Sequence, residues 1–271
     1  MKQIRVAAIQ LSPSHHPNDN LARARHWISE AAKAGAKLVS LPEAFVYRGP
    51  SDAQQLFATP IPGPVTDELA GLAREYGVWL LGGSIFERVS GQEKVFNTSP
   101  VFSSDGTLVA RYRKIHLFEI HNEHGKELSE ADYQAYGSEV VAVDTPWFKL
   151  GLSICFDLRF PELYRQLALQ GAQVMAVPSA FLLKTGRDHW EVLLRARAIE
   201  TQSYVIAPNC LGPSVTGVEG YGRSMIIDPW GQIMAQASDR EGLIFADLDL
   251  DYLIKVRKRV PTLSNCRLPG F

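Results

Sequence analysis

The stretch of residues 151–165, GLSICFDLRFPELYR, constrains the fold of this chain more than any other. Its apolar first residues predict a buried strand that ends at Cys155. Pro161 then stands where a helix would begin, because the first turn of a helix does not need the N–H that proline lacks. A side chain at such a strand-to-helix bend points away from the sheet, and the N–H groups of the next turn favour negative charge beside it. The stretch predicts either a nucleophilic cysteine or a buried structural one, and the partners of Cys155 decide between them.

Strands and helices alternate through the rest of the chain, which favours sheets covered by helices. Hydrophobic periodicity and turn residues predict strands at 4–11, 38–41, 78–86, 95–102, 108–113, 140–144, 149–155, 174–178, 204–208, 224–228, 232–236 and 243–248, and helices at 18–35, 66–77, 161–170 and 190–202. A long polar segment up to Ser138 has neither pattern, and such a segment inside a compact domain is usually functional. Glu43, Cys155 and Ser179 each follow a strand directly, and open α/β sheets usually place their chemistry at that edge.

Composition limits the choice of partner and compartment. The chain has 271 residues, 46% of them hydrophobic, so we expect one domain over 1–271 with its core at about 4–250 and a tail at about 251–271. The net charge of −1 gives no basic field for nucleic acid, and no stretch is long enough to cross a membrane. Cys155, Cys210 and Cys266 are too few and too widely spaced for a disulfide framework or a zinc site. We therefore expect a cytoplasmic protein that acts on a small molecule.

A cysteine nucleophile needs a base for its proton and a cation or dipole for the charge that develops. Histidine is the usual base, but the sequence signature of papain-like proteases around their cysteine is absent. A glutamate beside a lysine in a closed pocket is the alternative, because their mutual influence tunes the glutamate to take a thiol proton. Glu43 is a candidate for this role, although a strand-end acid is also compatible with a solvated loop.

Three blocks identify candidates for all these roles. The segments LPEAF at 41–45, YRKIHL at 112–117 and SICFDLRFPE at 153–162 resemble the signature motifs of the nitrilase superfamily of carbon–nitrogen hydrolases, in the same order and at similar spacing. The resemblance runs from the first strand to Pro261. It implies an α/β fold, a single-domain four-layer αββα sandwich that commonly pairs into an αββααββα dimer, so we expect a homo-oligomer.

The resemblance also implies a role for each matched residue. Glu43 matches the general base, Lys114 the oxyanion-stabilising lysine and Cys155 the nucleophile, with the backbone N–H of Phe156 completing the oxyanion site. The implied reaction is acyl transfer through a thioester on the cysteine, and it requires neither a metal nor an organic cofactor.

A second glutamate often follows the lysine in this superfamily. The block 129–137 resembles that region and puts Glu130 at the glutamate position. The usual proline before Gly137 is replaced by Tyr136, which leaves Glu127 as an alternative to Glu130.

The blocks at 179–181, 188–201 and 221–231 are most similar to the Nit branch. This implies cleavage of a terminal carboxamide with release of ammonia, and the deaminated glutathione amidase group ranks first. The alternatives are an omega-amidase acting on 2-oxoglutaramate or 2-oxosuccinamate, an N-carbamoyl-amide hydrolase, and a catalytically idle binding or scaffold member.

Three side chains are predicted to bind the substrate of such an enzyme: Arg159, Ser179 and His189. Arg159 is the cation nearest to Cys155 in sequence and is suited to a substrate carboxylate. An ion pair that closes the bend is the alternative for Arg159, and a structural hydrogen bond to a loop is the alternative for His189.

Overall fold

The predicted helices and strands are present, together with further short elements. The computed structural model describes residues 3–122 and 125–267. The strands are β1 Gln3–Gln10, β2 Leu38–Ser40, β3 Trp79–Leu81, β4 Ile85–Glu87, β5 Phe96–Phe102, β6 Leu108–Arg113, β7 Glu119–Asn122, β8 Gly125–Ser129, β9 Ala142–Asp144, β10 Lys149–Leu152, β11 Val174–Ala176, β12 Tyr204–Ala207, β13 Leu211–Pro213, β14 Glu219–Tyr221, β15 Met225–Ile227, β16 Ile233–Gln236 and β17 Gly242–Asp249. The helices are α1 Pro17–Lys33, α2 Gln54–Phe57, α3 Pro64–Tyr76, α4 Pro161–Leu169, α5 Leu183–Thr185, α6 Glu191–Thr201 and α7 Leu250–Arg259.

Two large sheets form the centre of the molecule. The first has the order β17-β1-β2-β3-β5-β4, with β6 also paired to β5, and its strands β1, β2 and β3 are parallel. The second has the order β16-β15-β12-β11-β10-β9, with β10, β11 and β12 parallel. Each parallel run places the carboxyl ends of its strands along one edge of its sheet. The loops that leave these edges hold the residues of the site described below.

Alternation along the strands explains how the layers stack. Val6 and Ala8 of β1 lie in the hydrophobic core shared with the second sheet, whereas Ala7 and Ile9 pack with the buried faces of α1 and α3. Successive side chains of a strand point to opposite faces, so a strand buried on both faces consists almost entirely of apolar residues. Helices α4 and α6 cover the outer face of the second sheet in the same way. The α/β sandwich of one domain predicted from the sequence is thereby confirmed.

The structure differs from the sequence expectations in several places, among them the unpredicted hairpin β13–β14 and the short helices α2 and α5. The predicted strand at 78–86 is divided into β3 and β4, because Gly83 adopts φ +58° and its neighbours leave the strand conformation. The polar segment before Ser138 contains the hairpin β7–β8. Its strands are too polar to show the alternation of apolar residues from which strands are predicted. The predicted tail contains α7, whose Leu253 and Val256 are buried. In the part of the chain described, no helix is both long and apolar enough to cross a membrane.

Candidate active site

Cys155 stands at a sharp bend directly after β10. Its φ is +46°, in the left-handed region that residues with a side chain rarely adopt, and Ile154 before it is extended. Its N–H donates to the carbonyl oxygen of Pro178 at 3.0 Å. A short 3-10 helix, Cys155–Arg159, follows, and the first N–H groups of a helix have no acceptor inside it. The bend predicted from the sequence is therefore present, with the cysteine at its tip.

A buried carboxylate, Asp157, holds this bend in place. Its Oδ2 accepts from the N–H of Ile154 at 2.8 Å and from the hydroxyl of Tyr112 at 2.7 Å. Its Oδ1 contacts the N–H of His116 at 3.0 Å and the ring Nδ1 at 2.7 Å. One side chain thus joins the strand before Cys155 to the residues on both sides of Lys114. The sequence analysis assigned no role to Asp157. The signal that could have identified it is an acidic residue two positions after Cys155, at the end of the apolar strand.

Lys114 is fully buried between two carboxylates. Its Nζ lies 2.8 Å from Oε1 of Glu43 and 2.8 Å from Oε2 of Glu130. Burial alone would lower the pKa of Lys114, but the charges of Glu130 and Glu43 raise it well above its ordinary value. Lys114 therefore remains an ammonium group at neutral pH.

The backbone of Lys114 is fixed as firmly as its side chain. Its N–H donates to the carbonyl oxygen of Asn97 at 2.9 Å, and its carbonyl accepts from the N–H of Gly137 at 2.8 Å. A Cβ at Gly137 would lie 2.1 Å from the carbonyl oxygen of Arg113, so only glycine allows this close approach. The segment after β8 therefore locks the lysine at the end of β6.

Glu43 is 3% exposed, and both its oxygens accept hydrogen bonds. Besides Lys114, Oε1 accepts from Nδ2 of Asn97 at 2.9 Å, and Oε2 accepts from the N–H of Ala180 at 2.8 Å. Asn97 and Ala180 were not predicted as site residues, because their relation to Glu43 depends on how the two sheets face each other. These contacts fix the carboxylate in one orientation.

Glu130 supports the lysine from the opposite side. Its Oε2 also accepts from the N–H of Phe118 at 2.7 Å, at the start of the hairpin β7–β8. Burial and the charge of Glu43 raise the pKa of Glu130, although Lys114 opposes this shift. The structure thus brings Glu130 to the lysine, and the side chain of Glu127 lies outside the described part of the chain.

Cys155 is buried, and its thiol lies close enough to these charges to respond to them. Burial and the carboxylate of Glu43 raise the pKa of Cys155 well above its ordinary value, against the opposing effect of Lys114. This shift disfavours the free thiolate, so the thiol needs a base at the moment it reacts.

A cavity of about 420 Å³ opens beside the thiol. Much of its lining is aromatic, and it includes four charged side chains. The aromatic residues are Tyr47, Phe86, Phe118, Tyr133, Phe156 and Phe181, and the charged ones are Glu43, Glu130, Arg48 and Arg159. A concave, mostly apolar pocket with a few convergent polar groups is typical of a small-molecule site.

Arg159 lies at this cavity without a carboxylate partner among the described residues. Its guanidinium carbon is 5.7 Å from the ring centre of Phe156 and 5.2 Å from that of Phe181. Its Nη1 lies 3.3 Å from Nδ1 of His189. No ion pair closes the bend through Arg159 in the part of the chain described, so its charge is available to a ligand.

The other two predicted substrate-binding side chains do not line the cavity. His189 is exposed and contacts Arg159, so it positions that arginine. Ser179 is fully buried, and its hydroxyl donates to the carbonyl of Val177 at 3.0 Å. The predicted direct contact of these two side chains with a substrate is corrected accordingly. Beside Ser179, the N–H of Ala180 is the group that reaches the site.

Comparisons with known proteins agree with this geometry. The family model described as carbon-nitrogen hydrolase matches residues 5–258. Human omega-amidase NIT2 is 40% identical over 269 residues, which cover 98% of this chain and 96% of the human protein. The crystal structure of Nit3 from Saccharomyces cerevisiae, a member of branch 10 of the nitrilase superfamily, superposes with a TM-score of 0.89 at 35% identity, over 100% of this chain and 97% of that one.

A third relative is known with its cysteine modified. It is a mutant of the amidase from Nesterenkonia sp., whose structure shows the result of Michael addition of acrylamide at the active-site cysteine. The two chains are 26% identical, with a TM-score of 0.79 over 95% of this chain and 98% of that one. Family model, relatives and fold agree, and the chain belongs to the carbon–nitrogen hydrolases of the nitrilase superfamily.

Proposed function

We propose that the protein is an omega-amidase, which hydrolyses the terminal carboxamide of a short carboxylic acid through a thioester on Cys155 and releases ammonia. One observation supports the chemistry above all: the buried thiol of Cys155 lies beside Glu43, and Lys114 contacts both Glu43 and Glu130 at 2.8 Å. The substrate class is supported by the 40% identity to human omega-amidase NIT2. This identity favours the alternative of an omega-amidase over the expected deaminated glutathione amidase.

The first half of the reaction forms the thioester. Glu43 accepts the proton of the Cys155 thiol as the sulfur attacks the amide carbonyl. The negative oxygen of the tetrahedral intermediate is stabilised by the ammonium group of Lys114 and the backbone N–H of Phe156. Collapse of the intermediate breaks the C–N bond, and Glu43 returns the proton to the nitrogen, which leaves as ammonia.

The second half restores the enzyme. A water molecule attacks the thioester carbonyl while Glu43 accepts one of its protons, and the same two donors stabilise the second oxyanion. Collapse of this intermediate breaks the C–S bond. The sulfur of Cys155 recovers the proton from Glu43, and the carboxylic acid is released. Glu130 acts through Lys114 as a positioning residue, because its contacts are to that ammonium group and to the backbone of Phe118.

Hydrolysis assays on a panel of amides test this proposal. We expect the carboxylic acid to form fastest from 2-oxoglutaramate or 2-oxosuccinamate, more slowly from deaminated glutathione and from an N-carbamoyl amino acid, and not at all with the Cys155→Ala variant. Preference for deaminated glutathione would contradict the substrate assignment. Absence of hydrolysis throughout the panel would favour an idle binding or scaffold protein.

Activity is expected to stay level through the pH range in which an ordinary cysteine ionises. Burial and the charge of Glu43 raise the pKa of Cys155, so the thiol stays protonated in that range and proton removal is left to the glutamate. The measurement is kcat/KM from roughly pH 7 to 9.5, with a plateau expected across about 8.5, the ordinary thiol pKa. A rise with its midpoint near that value would show that a preformed thiolate is the reactive species.

Replacing Arg159 with glutamine should weaken substrate binding. Loss of a charge-assisted hydrogen bond to the substrate carboxylate raises KM for 2-oxoglutaramate roughly 10- to 100-fold with little change in kcat. Butyramide, which has no carboxylate, is the control and should be hydrolysed equally by both proteins. An equal fall in kcat for both amides would mean that Arg159 supports the bend and does not bind the acid.

A further inference from the structure

The peptide unit that joins Glu43 to Ala44 is held at both of its polar groups by buried side chains. The thiol of Cys210 donates to its carbonyl oxygen at 3.3 Å, and the hydroxyl oxygen of Ser84 accepts from its N–H at 3.0 Å. Both side chains are fully buried, and neither takes part in the reaction described above. Two residues far apart in sequence therefore fix the one peptide unit directly after the base.

Ala44 has a backbone conformation that is unfavourable for alanine. Its φ is +48°, in the left-handed region where a Cβ comes too close to the neighbouring backbone. Glycine adopts this region freely, whereas a Cβ lowers its population by about 5- to 30-fold. Turning the peptide unit over would return φ at Ala44 to the negative values that alanine prefers. The same movement would break both hydrogen bonds, because the carbonyl and the N–H would exchange sides.

The two contacts come from different sheets. Ser84 follows β3 of the first sheet, and its own N–H donates to the carbonyl of Pro42 at 3.3 Å. Cys210 follows β12 of the second sheet, and its N–H donates to the carbonyl of Ser179 at 3.0 Å, next to the residue whose N–H contacts the carboxylate of Glu43. Burial raises the pKa of Cys210 to about 12, so the thiol keeps the proton that it donates. The backbone beside the base is thereby tied to both sheets.

We propose that Ser84 and Cys210 are positioning residues, which keep the peptide unit between Glu43 and Ala44 in its strained orientation and so hold the general base in place. The carboxylate extends from the Cα at one end of this unit, and a misplacement of about 1 Å at a catalytic group can lower kcat roughly 100-fold. Neither side chain lines the cavity, so both act through Glu43 and not on the substrate. The assignment rests on the proposed amidase function, in which Glu43 is the base.

Paired substitutions in two backgrounds test the proposal. Ser84→Ala and Cys210→Ala are made singly and together, first with alanine at position 44 and then in the Ala44→Gly protein. Both kcat and KM for 2-oxoglutaramate are measured well below the melting temperature of each variant. Ser203→Ala is the matched control, because this hydroxyl is also buried and donates to the carbonyl of Ala172 at 3.3 Å, outside the cavity.

We expect each single substitution to lower kcat about threefold or more, and the pair at least about tenfold, with little change in KM. In the Ala44→Gly protein the same pair should lower kcat by less than about threefold, because glycine keeps the left-handed conformation without help from the two contacts. Ser203→Ala should leave kcat unchanged. A void left by the missing thiol or hydroxyl would lower kcat equally in both backgrounds, so the comparison separates strain from packing.

Equal losses of kcat in the two backgrounds would overturn the proposal, and so would normal kcat in the paired variant with alanine at position 44. A crystal structure of that paired variant, or of a single variant if the pair does not fold, should show a negative φ at residue 44. Retention of the φ of +48° with unchanged contacts of Glu43 would equally overturn it. Absence of amide hydrolysis by the unmodified protein would refute the proposed function alone, and the crystal structure would still decide whether the two contacts hold the peptide unit.

Discussion

Replacing Lys114 with methionine should reduce kcat/KM by at least about 1,000-fold and also destabilise the protein. Removal of one oxyanion donor costs roughly 100- to 1,000-fold in kcat, and here the same change also removes one of the three donors that orient Glu43. It also leaves the buried carboxylate of Glu43 and the partly buried carboxylate of Glu130 close together without their cation. Breaking a buried ion pair in this way costs about 3–5 kcal/mol in the free energy of unfolding.

A second variant separates the two effects of this change. Adding Glu130→Gln to Lys114→Met removes one of the two stranded charges, so part of the lost stability should return while kcat/KM stays low. Urea denaturation and steady-state kinetics measure both quantities. Recovery of activity together with stability would show that Lys114 holds the fold and takes no part in stabilising the oxyanion.

Replacing Asp157 with asparagine should have the next largest effect. Both of its oxygens face N–H or O–H donors, so whichever position the amide NH₂ takes, it meets donors where acceptors are needed. Unsatisfied buried groups of this kind cost about 1–3 kcal/mol each. Because Asp157 links the cysteine bend to the residues beside Lys114, a shift of about 1 Å between them should lower kcat roughly 100-fold.

The matched control for this variant is Tyr112→Phe, which removes one donor and keeps the carboxylate. It should cost about 1 kcal/mol and leave most of the activity. Kinetics are measured well below the melting temperature of each variant, so that loss of folded protein does not contribute. If Asp157→Asn lowers the melting temperature but keeps normal kcat, Asp157 stabilises the fold without positioning the nucleophile.

The sequence predicts those parts of the site that depend on patterns among a few neighbouring residues. The bend at Cys155 follows from an apolar strand, a helix-starting proline and a short polar interval. Glu43 and Lys114 were found by the resemblance of their motifs, since nothing in the composition of the chain connects residues so far apart. The structure then shows Lys114 within 2.8 Å of Glu43.

The remaining parts depend on long-range packing or on the direction of single side chains. Successive N–H groups of an extended chain point to opposite sides, so the N–H of Ser179 donates to the carbonyl of Pro208 while that of Ala180 donates to Glu43. Asn97 is a polar residue inside a strand, and its sequence neighbours do not show that it is buried. Arg48 is a lone arginine in a loop, and only the cavity around it distinguishes it from a solvated one.

The two sheets contribute different halves of the chemistry. Glu43 and Lys114 follow strands of the first sheet, and Cys155 and Ala180 follow strands of the second. Neither layer alone holds both a nucleophile and a base. Cys155 therefore has its base and its cation beside it only when the two sheets are docked. A substitution that shifts one sheet relative to the other should therefore lower activity even where none of these four residues is changed.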